Sequence, residues 1–250
     1  MLGYLLATLI GLSLGLMGGG GSILTVPILV YVLKMDPKVS IALSLAIVGL
    51  TSIVGVINHF RAGNVELKVA FLFAPFAMVG TFLGAKLSAL MSGEVQLILF
   101  AVIMLMASVL MIRGRKDQGE SENEKKVNIP LLAIQGIVVG IVTGLVGVGG
   151  GFLIVPALVL LTGLSMRKSV GTSLLIIAFN SLSGFLGYLD MVTVDWPFLF
   201  KFSACSIVGI LIGSALVQYV PQRTLKKSFG VFLIFMGIFI LYKNSSVFLG

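Results

Sequence analysis

Apolar residues fall along this chain in long, nearly uncharged blocks. Residues 3–17 form a first short run and 22–34 a second. Each is short of the roughly 20 residues that a membrane-spanning helix needs. Residues 38–59, 67–91 and 94–112 are each long enough to cross. Residues 113–129 then break the pattern with Arg113, Arg115, Lys116, Asp117, Glu120, Glu122, Glu124, Lys125 and Lys126. The plan resumes at 131–146, 151–163, 167–188, 195–219 and 223–242. In lipid, only helices and closed barrels satisfy every backbone polar group. These runs are too long and continuous for barrel strands, which alternate. The pattern predicts an all-α polytopic membrane protein. It has a first membrane repeat (1–112), a hydrophilic linker (113–129) and a second membrane repeat (130–250).

Two glycine clusters interrupt the blocks at matching places. Gly15-Leu16-Met17-Gly18-Gly19-Gly20-Gly21-Ser22 leads to Val26-Pro27. Gly144-Leu145-Val146-Gly147-Val148-Gly149-Gly150-Gly151 leads to Val155-Pro156, at an offset of 129 residues. From Gly11 to Pro27, against Gly140 to Pro156, nine of seventeen positions are identical. Ser40 meets Ser169 at the same offset, Ser44 meets Ser173, Ser52 meets Ser181, Gly80 meets Gly209 and Gly84 meets Gly213. Shared apolar composition explains Leu matching Leu, but not a shared Gly-x-x-Gly-x-Gly-Gly and Pro. The chain is read as an internal repeat. Each Gly costs about 1 kcal/mol against Ala in a helix interior, so the clusters are read as deliberate helix breaks.

Charge decides how the halves are oriented. If residues 3–34 cross as one interrupted helix, each half has four crossings and the halves are parallel. If they fold as a re-entrant hairpin, each half has that hairpin plus three transmembrane helices, and the halves are inverted-topology repeats. The hairpin arrangement leaves Lys34, Lys38, Lys86, Lys201 and Lys243 on the face of the termini and puts the other twelve of the 17 Lys and Arg on the linker face. The crossing arrangement splits them almost evenly. The positive-inside rule therefore favours inverted halves, a cytoplasmic linker and termini outside.

Only 10% of the residues are charged and 58% are hydrophobic, where a soluble domain carries about 25% charged. The net charge of +8 reads as a cytoplasmic excess of Lys and Arg. No basic aromatic platform accompanies it, so no nucleic-acid partner is expected. The first twenty residues lack a basic start, and the apolar pattern continues past any cleavage point. They are expected to remain in the mature protein. Cys205 lies in an apolar run and offers no disulfide framework.

The chemistry of the breaks follows from backbone dipoles. A break at mid-depth leaves Gly20, Gly21 and Ser22 at the start of one half-helix and Gly149, Gly150 and Gly151 at the start of the other. Gly18 and Gly147 stand just before them. Unpaired N–H groups and the helix dipole favour an anion there. Inverted halves would bring two such ends to one midplane site, as in carriers built on broken helices. Close helix packing is the plainer use of the same glycines. Mid-depth polar side chains supply further candidates: Thr51, Ser52, Thr172, Ser173, Asn180 and Ser181. Interhelical hydrogen bonding is the competing role for the hydroxyls. His59, the single histidine, suits either a proton relay or an ordinary wet helix end. Lys38 and Arg167 suit either anion steering or interfacial anchoring. There is no nucleophile with a base, no metal-ligand cluster and no Walker-type loop, so neither an enzyme nor a cofactor is expected.

The paired glycine motifs ending at Val26-Pro27 and Val155-Pro156, with Val170-Gly171-Thr172-Ser173-Leu174 after the second, resemble the TauE/SafE family of sulfite and organosulfonate transporters. The resemblance covers nearly the whole chain. It implies a multi-pass permease of the cell membrane, in a bacterial or archaeal inner membrane, that exports a small sulfur-containing oxyanion by alternating access. A passive anion channel, or a permease for another small organic anion, is the alternative. Lipid and the anion are the expected partners. Proton coupling is compatible with sulfite, which is partly dianionic near neutral pH, although no deep carboxylate supports it. The first half departs from the motif, with Ala42-Leu43-Ser44 where the second has Gly171-Thr172-Ser173.

Overall fold

The structure, a computed structural model, describes residues 2–113 and 129–244. Residues 114–128, nearly the whole of the linker, lie outside the described residues. The first half holds α1 (Leu2–Met17), α2 (Gly20–Pro27), α3 (Pro37–Arg61), α4 (Leu67–Leu87) and α5 (Gly93–Arg113). The second holds α6 (Ile129–Val146), α7 (Gly151–Ala157), α8 (Met166–Tyr188), α9 (Trp196–Leu216) and α10 (Gln222–Lys243). No strand occurs among the described residues. The apolar runs read from the sequence are these helices, to within a few residues.

Local chemistry sets the boundaries. The Asp36 carboxylate accepts from the N–H groups of Lys38 and Val39 at 2.8 and 3.2 Å, and Pro37 opens α3. Asp195 accepts from Phe198 N–H at 3.0 Å ahead of Pro197 in α9. These are side-chain N-caps of the ordinary kind. Pro27 and Pro156 have no N–H to close the helical ladder, and their rings crowd the preceding carbonyls. Directly after Pro27, and one residue after Pro156, the chain widens into a single π-helical stretch, Ile28–Val32 and Leu158–Thr162. The prolines thus release one turn of each short helix from regular bonding.

Six helices among the described residues are long and apolar enough to cross a membrane: Pro37–Arg61, Leu67–Leu90, Gly93–Met111, Met166–Tyr188, Trp196–Tyr219 and Gln222–Lys243. Leu2–Met17 and Gly20–Val32 are shorter. In α3 and α8, 72% and 78% of the spanning window is buried, against 39–44% in the other four. The bundle is therefore centred on α3 and α8, which pack on each other. The outer helices present Phe71, Val79, Leu83, Val102, Phe200, Val208 and Val231 outward, as a lipid-facing surface requires.

Packing repeats at the same 129-residue offset. α1 lies against α9, and its counterpart α6 lies against α4. The first helix of each half is thus exchanged onto the fourth helix of the other. A methyl group at Gly11 or Gly15 would overlap the backbone of Ser206–Ser214, and one at Gly209 or Gly213 would overlap the carbonyls of Thr8 or Leu12. In the other interface, Gly140 and Gly144 meet the backbone of residues 77–85, and Gly80 and Gly84 meet Ile137 and Ile141. Four small-xxx-small pairs bring the backbones together, which favours van der Waals packing where lipid removes the hydrophobic drive.

Candidate functional site

Each glycine break begins with a helix stop. Gly18 and Gly147 both have φ +70°, and their N–H groups donate to Leu14 and Thr143 carbonyls at 2.8 and 2.7 Å. This is the αL helix end that glycine adopts without a Cβ clash. The carbonyls of the last helical turn lack intrahelical partners. His59 Nε2 reaches the Gly15 carbonyl at 3.2 Å, and the Tyr188 hydroxyl donates to the Gly144 carbonyl at 3.1 Å. The first half doubles back at its break, so that Leu33 ends beside Gly3.

The two breaks meet. Any methyl on Gly19 would overlap the Gly151 backbone, and one on Gly151 would lie 2.5 Å from the Gly19 Cα and 3.0 Å from the Gly18 carbonyl. Both breaks rest on the central helix pair. Gly18 sits against Val170 and Ser173 of α8, and Gly147 against Ile41 of α3. Val170 and Ile41 are repeat-equivalent. Gly149 faces Ser181 Oγ and Val48. The remaining glycines look inward to their own hairpins: Gly20 to Ser13, Gly21 to Ile10 and Leu14, and Gly150 to Thr143. Gly18, Gly149 and Gly151 therefore stand at the shared centre, while Gly20, Gly21 and Gly150 make room for close packing.

The hydroxyls divide in the same way. Ser22 Oγ donates to the Gly19 carbonyl at 2.7 Å, Thr51 Oγ1 to Ile47 at 2.6 Å and Ser173 Oγ to Val170 at 2.8 Å. Thr172 Oγ1 accepts from Glu66 N–H at 2.9 Å. These four are occupied by backbone partners. Ser52 Oγ, Ser181 Oγ and both amide atoms of Asn180 are fully buried with no partner. Ser40, Ser44 and Thr143 join them, and Thr143 was not anticipated from the sequence. Its place one turn before the second break was the available signal. Asn180 follows Ile177 by one helical turn, and the Ile177 side chain abuts both Gly149 and Gly151.

No Lys, Arg, Asp or Glu is buried among the described residues, and no group of His, Cys, Asp or Glu there could hold a metal ion. The centre is polar but uncharged, and an anion there would be met by N–H and O–H dipoles alone. His59 is 1% exposed, so it is a buried tether rather than the wet helix end that its place near the end of a span suggested. Arg167 donates to the carbonyls of Gln218 and Val220 at 2.9 and 3.1 Å, closing the end of α9. Asp190 lies outside the spans, where the hydrogen bond and charge of Lys86 hold its carboxyl below the usual carboxylate range.

The described residues form ten α-helices around a buried, uncharged polar centre, six of them of membrane-spanning length, and so define a multi-pass helical membrane protein. The family profile described as sulfite exporter TauE/SafE matches residues 4–240, and the chain belongs to that family of membrane transporters. A probable membrane transporter protein of Xylella fastidiosa (strain 9a5c) is 33% identical over 94% of this chain and 92% of its own length. The probable membrane transporter protein YdhB of Bacillus subtilis is 27% identical over 97% of this chain and 100% of its own. No solved structure matches the chain with significance.

Proposed function

We propose that the chain exports a small sulfur-containing oxyanion, sulfite or an organosulfonate, by alternating access around the meeting point of the two glycine breaks. The observation that carries this reading is the fully buried Asn180, with neither amide atom partnered, next in the chain to the unpartnered Ser181 that faces Gly149 and one helical turn from Ile177, which abuts Gly149 and Gly151. A buried polar group without a partner is costly in a finished interior. A ligand that supplies both lone pairs and acidic hydrogens would satisfy it, and a hydrogen sulfite ion has both. The family description points to the same substrate. Gly18, Gly149, Gly151, Ser52, Ser181 and Asn180 surround the anion in this reading. Gly20, Gly21, Ser22, Thr51, Gly147, Gly150, Thr172 and Ser173 shape the surrounding backbone.

In this reading α1 with α2, and α6 with α7, are re-entrant hairpins, so each half crosses three times and the halves are inverted. The linker is cytoplasmic, the termini are outside, and residues 1–112 and 130–250 are the two membrane repeats. The shortness of α1 and α2, and the return of Leu33 to Gly3, support the hairpins. Among the described residues no buried carboxylate is present to carry proton coupling. The test is counterflow of radiolabelled sulfite in proteoliposomes. Accelerated uptake into vesicles preloaded with unlabelled sulfite is expected. Equal uptake with and without preloading would mean a channel, and no sulfite flux at all would remove the substrate assignment.

A further inference from the structure

The halves differ where the end of each central helix meets its neighbour. Residues 61 and 190 are repeat-equivalent, as are 86 and 215. On one side Lys86 Nζ donates to Asp190 Oδ2 at 2.7 Å, and the ion pair ties α4 to the end of α8. On the other side the same two positions hold Arg61 and Ala215. No ion pair forms there, and a cleft of about 380 Å³ opens, lined by Asn58, Arg61, Asn64, Ser214, Val217 and Gln218. Arg61 has no carboxylate partner among the described residues.

The cleft borders the central helix α8 through Asn64. Asn64 lies on its wall, and its carbonyl presses on Gly171, where a methyl group would overlap it. Its repeat counterpart Ala42 carries that methyl. The Glu66 N–H then anchors on Thr172 Oγ1, and Ser173 stands over Gly18. The departure of Ala42-Leu43-Ser44 from Gly171-Thr172-Ser173 is thus tied to the cleft: only the second half admits the 62–66 loop so closely.

We propose that the Arg61 cleft is a loading site for a small oxyanion on its way to the glycine crossing. The claim rests on the transport reading above. A guanidinium offers paired N–H donors that match oxyanion geometry; the amides of Asn64 and Gln218 line the same cleft, and Asn58 Nδ2 there already gives one hydrogen to Ser214 Oγ at 2.9 Å. The site is exposed, so capture is weak and reversible, as passage onward demands. A charge at the mouth also raises the local anion concentration before an uncharged interior. The phosphate of an anionic lipid headgroup carries the same chemistry, and the experiment separates the two sources.

The test uses the full chain with Cys205→Ser and Ala62→Cys, the new thiol carrying a thioether-linked trifluoromethyl label in the cleft. Fluorine NMR follows titration with sodium sulfite against sodium chloride at equal ionic strength. A saturable sulfite-specific shift is expected. In Arg61→Gln its midpoint should rise about tenfold, the loss of one charge-assisted contact worth roughly 1.4 kcal/mol. Arg61→Lys should fall between, and Lys86→Gln at the ion-paired side should match the parent. Arg61 is exposed, so neither of its variants disturbs packing. A shift no different from chloride, or an unchanged midpoint in Arg61→Gln, overturns the site. A label already at its end point in phosphatidylglycerol nanodiscs, and blind to sulfite there, assigns the cleft to lipid and overturns loading. Sulfite uptake by proteoliposomes is scored separately. Missing uptake with the shift intact sinks transport and leaves the oxyanion site standing. Intact uptake with no shift sinks the site alone.

Discussion

His59 and Tyr188 occupy the same place in the two halves and do the same thing with different chemistry. Each lies in the last turn of a central helix, each is buried, and each hydrogen-bonds the carbonyl of a glycine in the last turn before a break, Gly15 or Gly144. With a carbonyl as acceptor, His59 must carry its hydrogen on Nε2. Tyr188→Phe keeps the ring and removes only the donor, leaving a buried carbonyl unpaired. The expected loss is about 1 kcal/mol of stability, read as a lower melting temperature in detergent. His59→Phe should move it in the same direction. An unchanged melting temperature in Tyr188→Phe would show that the tether contributes nothing.

The crossing of the breaks makes a steric prediction. Gly19 has φ −114°, so a side chain there meets no backbone strain, only the Gly151 backbone. Gly19→Ala should abolish sulfite flux, because backbone cannot give way as a side-chain tip can. A methyl on Gly3 would meet only the Leu33 side chain, at 3.2 Å. Gly3→Ala should keep flux and add helix propensity, worth up to about 1 kcal/mol. Equal flux in the two variants would sink the assignment of the crossing as the centre.

Asn180 separates function from stability. Replacing it with Leu removes two unpartnered buried polar atoms, which should leave the ligand-free protein as stable or more so, by about 1–3 kcal/mol. The same change should erase any rise in melting temperature on adding sulfite. A protein that loses stability but still gains it back with sulfite would place Asn180 in a structural role.

A second difference between the halves is conformational. Lys34 has φ +55° at the end of the first hairpin, where its repeat counterpart Gly163 has φ +74°. A non-glycine residue in that region costs roughly 1–2 kcal/mol, partly offset in a glycine variant by greater freedom in the unfolded chain. Lys34→Gly should raise stability by about 0.5–1 kcal/mol with flux unchanged. A fall in melting temperature would mean that the lysine's contacts outweigh the strain.

The Lys86–Asp190 pair gives a pH dependence. Lys86 holds the Asp190 carboxyl below its usual value. Its contribution to stability is then present above the ordinary carboxylate range and lost as pH falls through the lowered value. Both partners are exposed, so the effect is small and salt-screened. Wild type and Asp190→Asn should differ slightly in melting temperature at neutral pH and low salt, then converge as pH falls below the lowered carboxyl value. A difference that persisted in acid would point to something other than the ion pair.

The helices, the offset between halves and the position of each break were legible in the sequence, because lipid forces long apolar runs and glycine marks helix ends. Which hydroxyls remain free was not. Thr51 and Asn180 share a repeat position, yet Thr51 reaches back to its own helix and Asn180 does not. A short β-hydroxyl can bond the carbonyl a turn earlier, as Thr51 does and its neighbour Ser52 does not, whereas an amide's two ends demand outside partners. The burial of His59 was equally hidden, since it depends on the carbonyl of a residue far off in the chain. Pairing of α1 with α9 left no local trace beyond the small-xxx-small spacing, which names a face but not its partner.

That pairing sets an order of assembly. α6 can close on α4 as soon as it is made, sixty residues separating Gly80 from Gly140. α1 must wait for α9, since Gly11 and Gly209 lie almost two hundred residues apart. α1, made well before α9, is therefore among the last of these helices to find its seat. During synthesis, its glycine face lies open to lipid or to a chaperone.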